Sequence, residues 1–470
     1  MRQAVWQGVT VTEQTDFIEA FTAFLHDVVH RQAPREQAGE VAAILTEHLG
    51  QDARQLTAVT ERLSRAQLVD ADIALEIIDP RGRLLGLRGR QHHDVSFSGL
   101  VRGENGPADV GPTEYVSMPV GPGVDRQVVS VGVRLMTFDG RPIAVLQRDA
   151  NEQWGRSSPS LDVMAVDRET SAAFLSLLRR EMRENSVLRG QVLSFTSDQY
   201  GSSLGGVTFL ERPAIDASDV VLPGDTLAKI ERHVVLLGEH RDDLLRAGQH
   251  LKRGILLYGP PGTGKTHTVR HLLSRSPETT AILLSGNTLG LVKEAAQIAR
   301  AMEPAMVVLE DCDLVAEDRD MVGSPDSMLF ELLEALDGLD GDADVTFLMT
   351  TNRPDLLERA LSQRPGRIDL AVEIPLPDGS GRRQLFALYA QGLAFSSEAL
   401  ALAAERAEGV TASFAKELIR RAVLAAAVAQ QRPADSHLAA ALDELLSDQE
   451  AFTRSLLASG PRRFDPADDD

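Results

Sequence analysis

The spacing of apolar side chains changes character along the chain, and each change predicts a different kind of element. Stretches 13–31, 35–49 and 52–68 repeat apolar residues at helical intervals, as in Phe17, Phe21, Phe24, Leu25 and Val28, and predict a small helical layer. Past it the period shortens. Ile73, Leu75 and Ile77 alternate with Asp72, Ala74 and Glu76, and the turn Asp79-Pro80-Arg81-Gly82 leads into Leu84-Leu85-Gly86-Leu87, a hairpin signal. A second hairpin is expected from apolar runs at 128–136 and 143–146, joined through Phe138-Asp139-Gly140-Arg141-Pro142. Between the hairpins, 90–125 is rich in glycine, proline and polar groups and reads as an extended loop or insertion; its pair His92-His93 has no cysteine or carboxylate at metal-ligand spacing beside it. Helical spacing returns over 169–189 through Leu175, Leu178 and Met182.

These patterns divide the first half into an N-terminal helical region, 1–68, and an α+β region, 69–195. A Gly- and Ser-rich linker is expected at 196–218. No catalytic constellation occurs before residue 200, so by elimination residues 1–200 are assigned to recognition of a partner or substrate, with a protein client expected.

The second half carries chemistry. In Arg253-Gly254-Ile255-Leu256-Leu257-Tyr258-Gly259-Pro260-Pro261-Gly262-Thr263-Gly264-Lys265-Thr266 an apolar strand enters a glycine loop that opens a helix. The pattern G-x-x-x-x-G-K-[ST] turns successive backbone N–H groups inward onto phosphate oxygens and places a helix N-terminus behind them. Lys265 is the candidate contact for the β- and γ-phosphates of ATP, and the Thr266 hydroxyl for Mg²⁺. A plain glycine turn is the competing reading. The chain has only five lysines, so a chance fit is about one in a few hundred. The run Ala305-Met306-Val307-Val308-Leu309 closed by Glu310-Asp311-Cys312-Asp313 has the form of a buried parallel strand, whose carboxyl end is where α/β sheets place ligands.

From about 219 to about 455 the chain resembles the AAA family of ATPases, with several motifs in the family's order. Asp219-Val220-Val221-Leu222-Pro223 stands where the family passes under the adenine, and GPPGTGKT (Gly259, Pro260, Pro261, Gly262, Thr263, Gly264, Lys265, Thr266) is its phosphate loop down to both prolines. The resemblance makes 305–310 the Walker B strand, but with Glu before Asp. It assigns Glu310 to magnesium and Asp311, one methylene shorter than the usual glutamate, to the attacking water. That order resembles the subgroup containing the mitochondrial translocase of the Rieske iron–sulfur protein. Asn352, closing Val345-Thr346-Phe347-Leu348-Met349-Thr350-Thr351, matches the first sensor, which bridges γ-phosphate and water. Arg364 and Arg367 in Ala360-Leu361-Ser362-Gln363-Arg364-Pro365-Gly366-Arg367 match arginines that reach the γ-phosphate held by a neighbouring subunit. Such arginines imply a homo-oligomer, a hexameric ring in this family. The implied fold is α/β: a P-loop NTPase parallel sheet over 219–378 with a C-terminal helical lid over 379–458, preceded by the mixed α+β region and followed by an acidic tail, 459–470. In the lid, Ala412-Ser413 replaces the family's small Gly-Ala pair beside the nucleotide.

Two departures limit the resemblance. The stretch between Lys265 and Glu310 is shorter than in protein-threading members by about two helical turns. Where those members carry an aromatic pore-loop residue, this chain has Thr288-Leu289-Gly290-Leu291-Val292, leaving Leu289 or Leu291 as the only apolar contacts. No H-E-x-x-H protease signature is present.

Composition narrows the remaining choices. A net charge of −21 opposes wholesale nucleic-acid binding, which needs a basic face. A single cysteine, Cys312, leaves no internal disulfide framework, and residues 1–7 lack the apolar core of a secretory signal, so a cytoplasmic protein without a membrane span is expected. The resulting expectation is an ATP- and Mg²⁺-dependent oligomeric remodeller of a protein. The alternative is a nucleotide-gated assembly switch that hydrolyses slowly through Glu310-Asp311.

Overall fold

A computed structural model of the chain describes residues 39–88, 96–103, 107–151, 156–197, 204–313, 342–354 and 368–458. The helix expected at 13–31, His92-His93, Arg364, Arg367 and the tail 459–470 lie outside them. Contacts divide the chain into two compact units, Met1–Val120 with Asp125–Val187, and Gly121–Val124 with Leu188–Asp470. Among the described residues no helix is long and apolar enough to cross a membrane.

With β1 at Ala58–Arg62, β2 at Arg83–Arg88, β3 at Asp109–Gly111, β4 at Glu114–Gly121 and β7 at Ser160–Ala165, the first unit is built on a seven-stranded sheet in the order β1-β7-β6-β5-β2-β3, with β4 pairing β5. Its long members are β5, Val124–Phe138, and β6, Arg141–Arg148, paired antiparallel through Phe138↔Arg141 as the second hairpin signal required. Helices α1 (Glu40–Leu49), α2 (Arg65–Ile78), α3 (Phe97–Arg102) and α4 (Arg168–Glu184) complete it. One core gathers Val41, Leu45, Phe97 and Leu146; another gathers Leu75, Ile143, Leu161 and Phe174.

Three local expectations differ from this unit. Residues 73–77 are not a strand but the last turns of α2, because Ser64 and Gln67 form a reciprocal capping box that starts a helix at Arg65. The apparent alternation is one edge of a helical stripe through Leu68, Ala71 and Leu75, all fully buried. Residues 58–62, read as helix, form β1 against β7 (Ser160–Ala165). The supposed loop 90–125 contains α3 and strands Asp109–Gly111 and Glu114–Gly121.

The second unit carries the α/β sheet, in the order β14-β10-β13-β12-β11-β8-β9. Strands β10 (Arg253–Tyr258), β11 (Thr280–Ser285), β12 (Ala305–Glu310), β13 (Val345–Thr351) and β14 (Leu370–Glu373) are mutually parallel, so their carboxyl ends share one edge. The sheet also takes in β8 (Val192–Ser197) and β9 (Leu204–Leu210), an antiparallel hairpin whose first strand pairs parallel with β11. Residues 196–197 and 204–210 of the expected linker 196–218 are therefore strand residues of this sheet, the last of them ending β9. Just beyond it, Arg212 donates to the carbonyls of Leu273, Ser276, Gly190 and Thr279 at 2.8–3.0 Å, closing the C-terminus of the phosphate-loop helix. Helices Gly379–Tyr389, Ser397–Arg406, Ala412–Val428 and Asp435–Ala458 form the helical C-terminal region around Phe386, Leu418 and Leu442.

In the first unit, burial pushes the Asp70 carboxyl up to about 6, against the opposing bonds from the Ser186 hydroxyl and the Val187 N–H. The unfolded carboxyl titrates near 3.8, so between these values the native state binds more protons. The stabilisation this group supplies is complete at the low end of that window and is lost as pH rises through about 6. Asp70→Asn keeps an acceptor for Val187 and can donate to Ser186. It should raise the unfolding free energy of this unit at pH 7 by about 2 kcal/mol and flatten its pH dependence, measured by denaturant titration across pH 4–7.

Candidate functional site

The phosphate loop leaves β10 and enters a helix, Lys265–Arg275, here α7 in the numbering that counts Thr226–Glu231 and Arg241–Arg246 as α5 and α6. Its glycines are required by geometry. Gly259 has φ 148°, and a Cβ there would lie 2.2 Å from the Ile374 carbonyl oxygen; Gly262 has φ 78° and Gly264 φ 110°. Thr263 closes the loop by donating to the Pro260 carbonyl at 2.9 Å.

Lys265 is buried, and its ammonium donates to the carbonyls of Gly259 and Pro260 at 2.8 and 2.9 Å and to Asn352 Oδ1 at 2.7 Å. Burial lowers its pKa, while the charges of Asp311 and Asp313 push it back up. Three motifs far apart in sequence, the loop, the end of β12 and the end of β13, thus meet around one nitrogen.

At the end of β12, Glu310 lies near the Thr266 hydroxyl. Burial raises the Glu310 pKa; Thr266 and the charge of Arg270 work against that, and the Asp311 charge works with it. Asp311 adopts a left-handed backbone, φ 53°, in which aspartate is far commoner than longer side chains. Its N–H donates to Thr350 Oγ1 at 3.0 Å, and that of Cys312 to the Thr350 carbonyl at 3.0 Å, so the turn is clamped to β13. Burial pushes the Cys312 thiol up to about 12, with Asp313 adding to the shift, which keeps it protonated and inert as a nucleophile.

Asp313 was not singled out by its sequence position, yet it holds the end of β13. It accepts from Thr351 Oγ1 and the Asn352 N–H at 3.0 Å and from Asn352 Nδ2 at 3.4 Å. Burial works to raise its pKa, but the bonds from Asn352, its own N–H and Thr351 outweigh it and hold the carboxyl below its ordinary value. Two histidines were missed as well. His267 Nε2 meets the Asp219 carbonyl at 3.0 Å, and fully buried His271 meets the Ile215 carbonyl and Glu231 Oε1, both at 2.9 Å. One turn apart on α7, they tie the segment expected beneath the adenine to the helix behind the phosphate loop. The signal was their i, i+4 spacing directly after the lysine.

On the other side of the loop, Ser413 N–H donates to the Gly262 carbonyl at 3.1 Å, and Thr411 caps the helix Ala412–Val428 through the Phe414 N–H. The small lid residues thus stand against the phosphate loop itself. Leu289 and Leu291 are buried in a short 3₁₀ segment, Gly286–Leu291, and neither is offered as an apolar grip for a polypeptide.

A parallel sheet with a lysine-bearing glycine loop and carboxylates at neighbouring strand ends defines a P-loop nucleoside-triphosphatase fold. Residues 255–376 match the model of the ATPase family associated with various cellular activities (AAA), so this part of the chain is similar to an AAA domain. It is 33% identical over 202 residues to the ATPase family gene 2 protein homolog A of Homo sapiens, covering 40% of this chain and 22% of that one. It is 34% identical over 188 residues to the 26S proteasome regulatory subunit S10B homolog B of Arabidopsis thaliana, covering 37% and 47%. It is also 29% identical over 234 residues to the proteasome-activating nucleotidase of Thermococcus onnurineus, covering 47% and 58%. The chain therefore spans between about a fifth and three fifths of the length of these relatives.

Gly259→Ala should displace the loop from the Ile374 carbonyl. It should weaken binding of a fluorescent ATP analogue at least tenfold, about 1.4 kcal/mol or more, in equilibrium titration.

Proposed function

We propose that the chain hydrolyses ATP as an oligomer and uses the cycle to remodel a protein partner bound by its first 200 residues. The observation that carries this reading is the meeting of Lys265, Asn352 and the carboxylates of Asp311 and Asp313 at the carboxyl ends of adjacent parallel strands. On this reading Lys265 exchanges its loop carbonyls for the β- and γ-phosphates, Asn352 and Asp311 position and polarise the attacking water, and the loop N–H groups hold the phosphates. The Thr266 hydroxyl and Glu310 form an all-oxygen pair beside the loop, and a half-buried carboxylate raised by desolvation fits a nearby hard cation. These two residues would hold Mg²⁺, which would supply neutralisation of phosphate charge. Arg364 and Arg367 are assigned to a neighbour's γ-phosphate, which makes a ring, a hexamer by family likeness, the working form. The names of two relatives associate them with the proteasome, and a protein client is the extension of that likeness to this chain. Burial of Leu289 and Leu291 favours reshaping of a folded client over threading by an apolar loop. A single cysteine, which leaves no internal disulfide framework, favours a cytoplasmic setting.

The left-handed backbone at Asp311 and its short side chain favour a second reading, a slow nucleotide-gated switch. Either device works only if the ATP and ADP forms differ in affinity for the partner. Steady-state ATPase assays separate the two, since turnover below about one per hour in the oligomer defines the switch.

Asp311→Asn should retain ATP binding and lower turnover at least a hundredfold, about 2.7 kcal/mol or more in the barrier. Normal hydrolysis by Asp311→Asn together with loss in Glu310→Gln would show the two roles to be reversed. Mixing Arg364→Ala with Lys265→Ala subunits should recover turnover that neither has alone; a mixture as dead as its parents argues against sites shared between subunits.

A further inference from the structure

A side-chain amide has an oxygen end and a nitrogen end of nearly equal size, and only its neighbours decide which way it points. The geometry points to Asp313 as the positioning residue that turns the oxygen of Asn352, and not its amino group, towards Lys265. The catalytic consequence rests on the reading of Asn352 given above, whereas the orientation itself does not.

The donor and acceptor chemistry leaves one arrangement. Asp313 is buried, and its Oδ1 accepts from Thr351 Oγ1 and the Asn352 N–H, both at 3.0 Å. Its Oδ2 faces Asn352 Nδ2 at 3.4 Å. A carboxylate can only accept, and the Lys265 ammonium, 2.7 Å from Asn352 Oδ1, can only donate. Flipping the amide would set oxygen against carboxylate and NH₂ against ammonium, two repulsive contacts in place of two bonds. Asn352 therefore offers an acceptor to the phosphate side. That oxygen can accept a hydrogen bond from the attacking water or from Lys265, while the amino group keeps one of its two N–H donors on Asp313.

A reciprocal exchange tests this. Asp313→Asn keeps the Oδ1 contacts but sets an NH₂ against the NH₂ of Asn352. Asn352→Asp sets two carboxylates together. The double variant D313N/N352D restores an ordered chain in which the residue-313 amide donates to the residue-352 carboxylate, which accepts from Lys265. In the nucleotide-free protein each single change should lower the thermal midpoint by about 4 °C or more, and the double should return to within about 2 °C of the parent. A chain that folds only as the double also supports the assignment. A D313N variant as stable as the parent, or a double no better than D313N, overturns it, as does failure of both to fold. In the parent background, D313N should bind ATP within about threefold of normal while kcat falls about tenfold or more, because the flipped amide loses its acceptor. Unchanged kcat in D313N removes the catalytic consequence. A parent protein with no turnover defeats the proposed function but leaves the melting cycle to decide the orientation.

Discussion

The site depends on one electrostatic constraint, a lysine ammonium taken out of water on the phosphate loop. Burying such a charge costs several kcal/mol unless every proton finds an acceptor. Lys265 satisfies all three of its own, two with loop carbonyls and one with Asn352. The loop can turn those carbonyls inward only because its glycines take left-handed or otherwise restricted backbone angles. The third acceptor arrives only because β13 lies beside β10 in register, Tyr258 opposite Thr351. The parallel sheet is thus what brings a residue 87 positions away to the same nitrogen.

Much of this arrangement was legible before any coordinates, for a reason particular to the phosphate loop. Its geometry is fixed by glycines a few residues apart, so short-range sequence carries it completely. Strands β12 and β13 were readable only because a continuous apolar run ends abruptly in polar residues, at Glu310 and Asn352. Asp313 was not readable. Its role depends on the pairing of β12 with β13, which no local spacing encodes. The β8–β9 hairpin failed for the opposite reason: the glycines and serines at 201–206 dominate the local signal, while the strand-forming evidence is the pairing of Phe195 with Val207 and Leu193 with Phe209. Residues 73–77 show how two periods can coincide over a few positions, and there the capping pair Ser64–Gln67 outweighs the alternation.

The first unit has a different internal logic. Its sheet carries charge inside: Arg134 meets Asp72 at 2.6 Å, and Arg148 meets Asp162 at 2.7 Å, with all four side chains at least about nine-tenths buried. Replacing such pairs by apolar residues is often neutral for stability, so their presence points to specificity. Asp72 lies on α2 and Arg134 on β5, so that pair fixes the helix against one register of the strand. Asp162 also accepts the Phe97 N–H at 3.1 Å, which seats the short helix α3 and its fully buried phenylalanine. A slipped register would strand these charges, a penalty that a purely apolar face would not impose.

The reversed order of carboxylates at Glu310 and Asp311 finds a physical account in the backbone. On β12 the last extended residue is Glu310, whose longer arm reaches the Thr266 hydroxyl across the mouth of the loop. The next residue leaves the strand with φ 53°, a conformation that a short polar side chain tolerates and a longer one resists. Two bonds to Thr350 hold that turn in place, so the conformation belongs to the frame of the sheet and not to the side chain alone. A glutamate at 311 would carry extra reach but pay in backbone strain. Each carboxylate therefore has the length its own backbone position permits, and the pair is coherent with the turn it occupies.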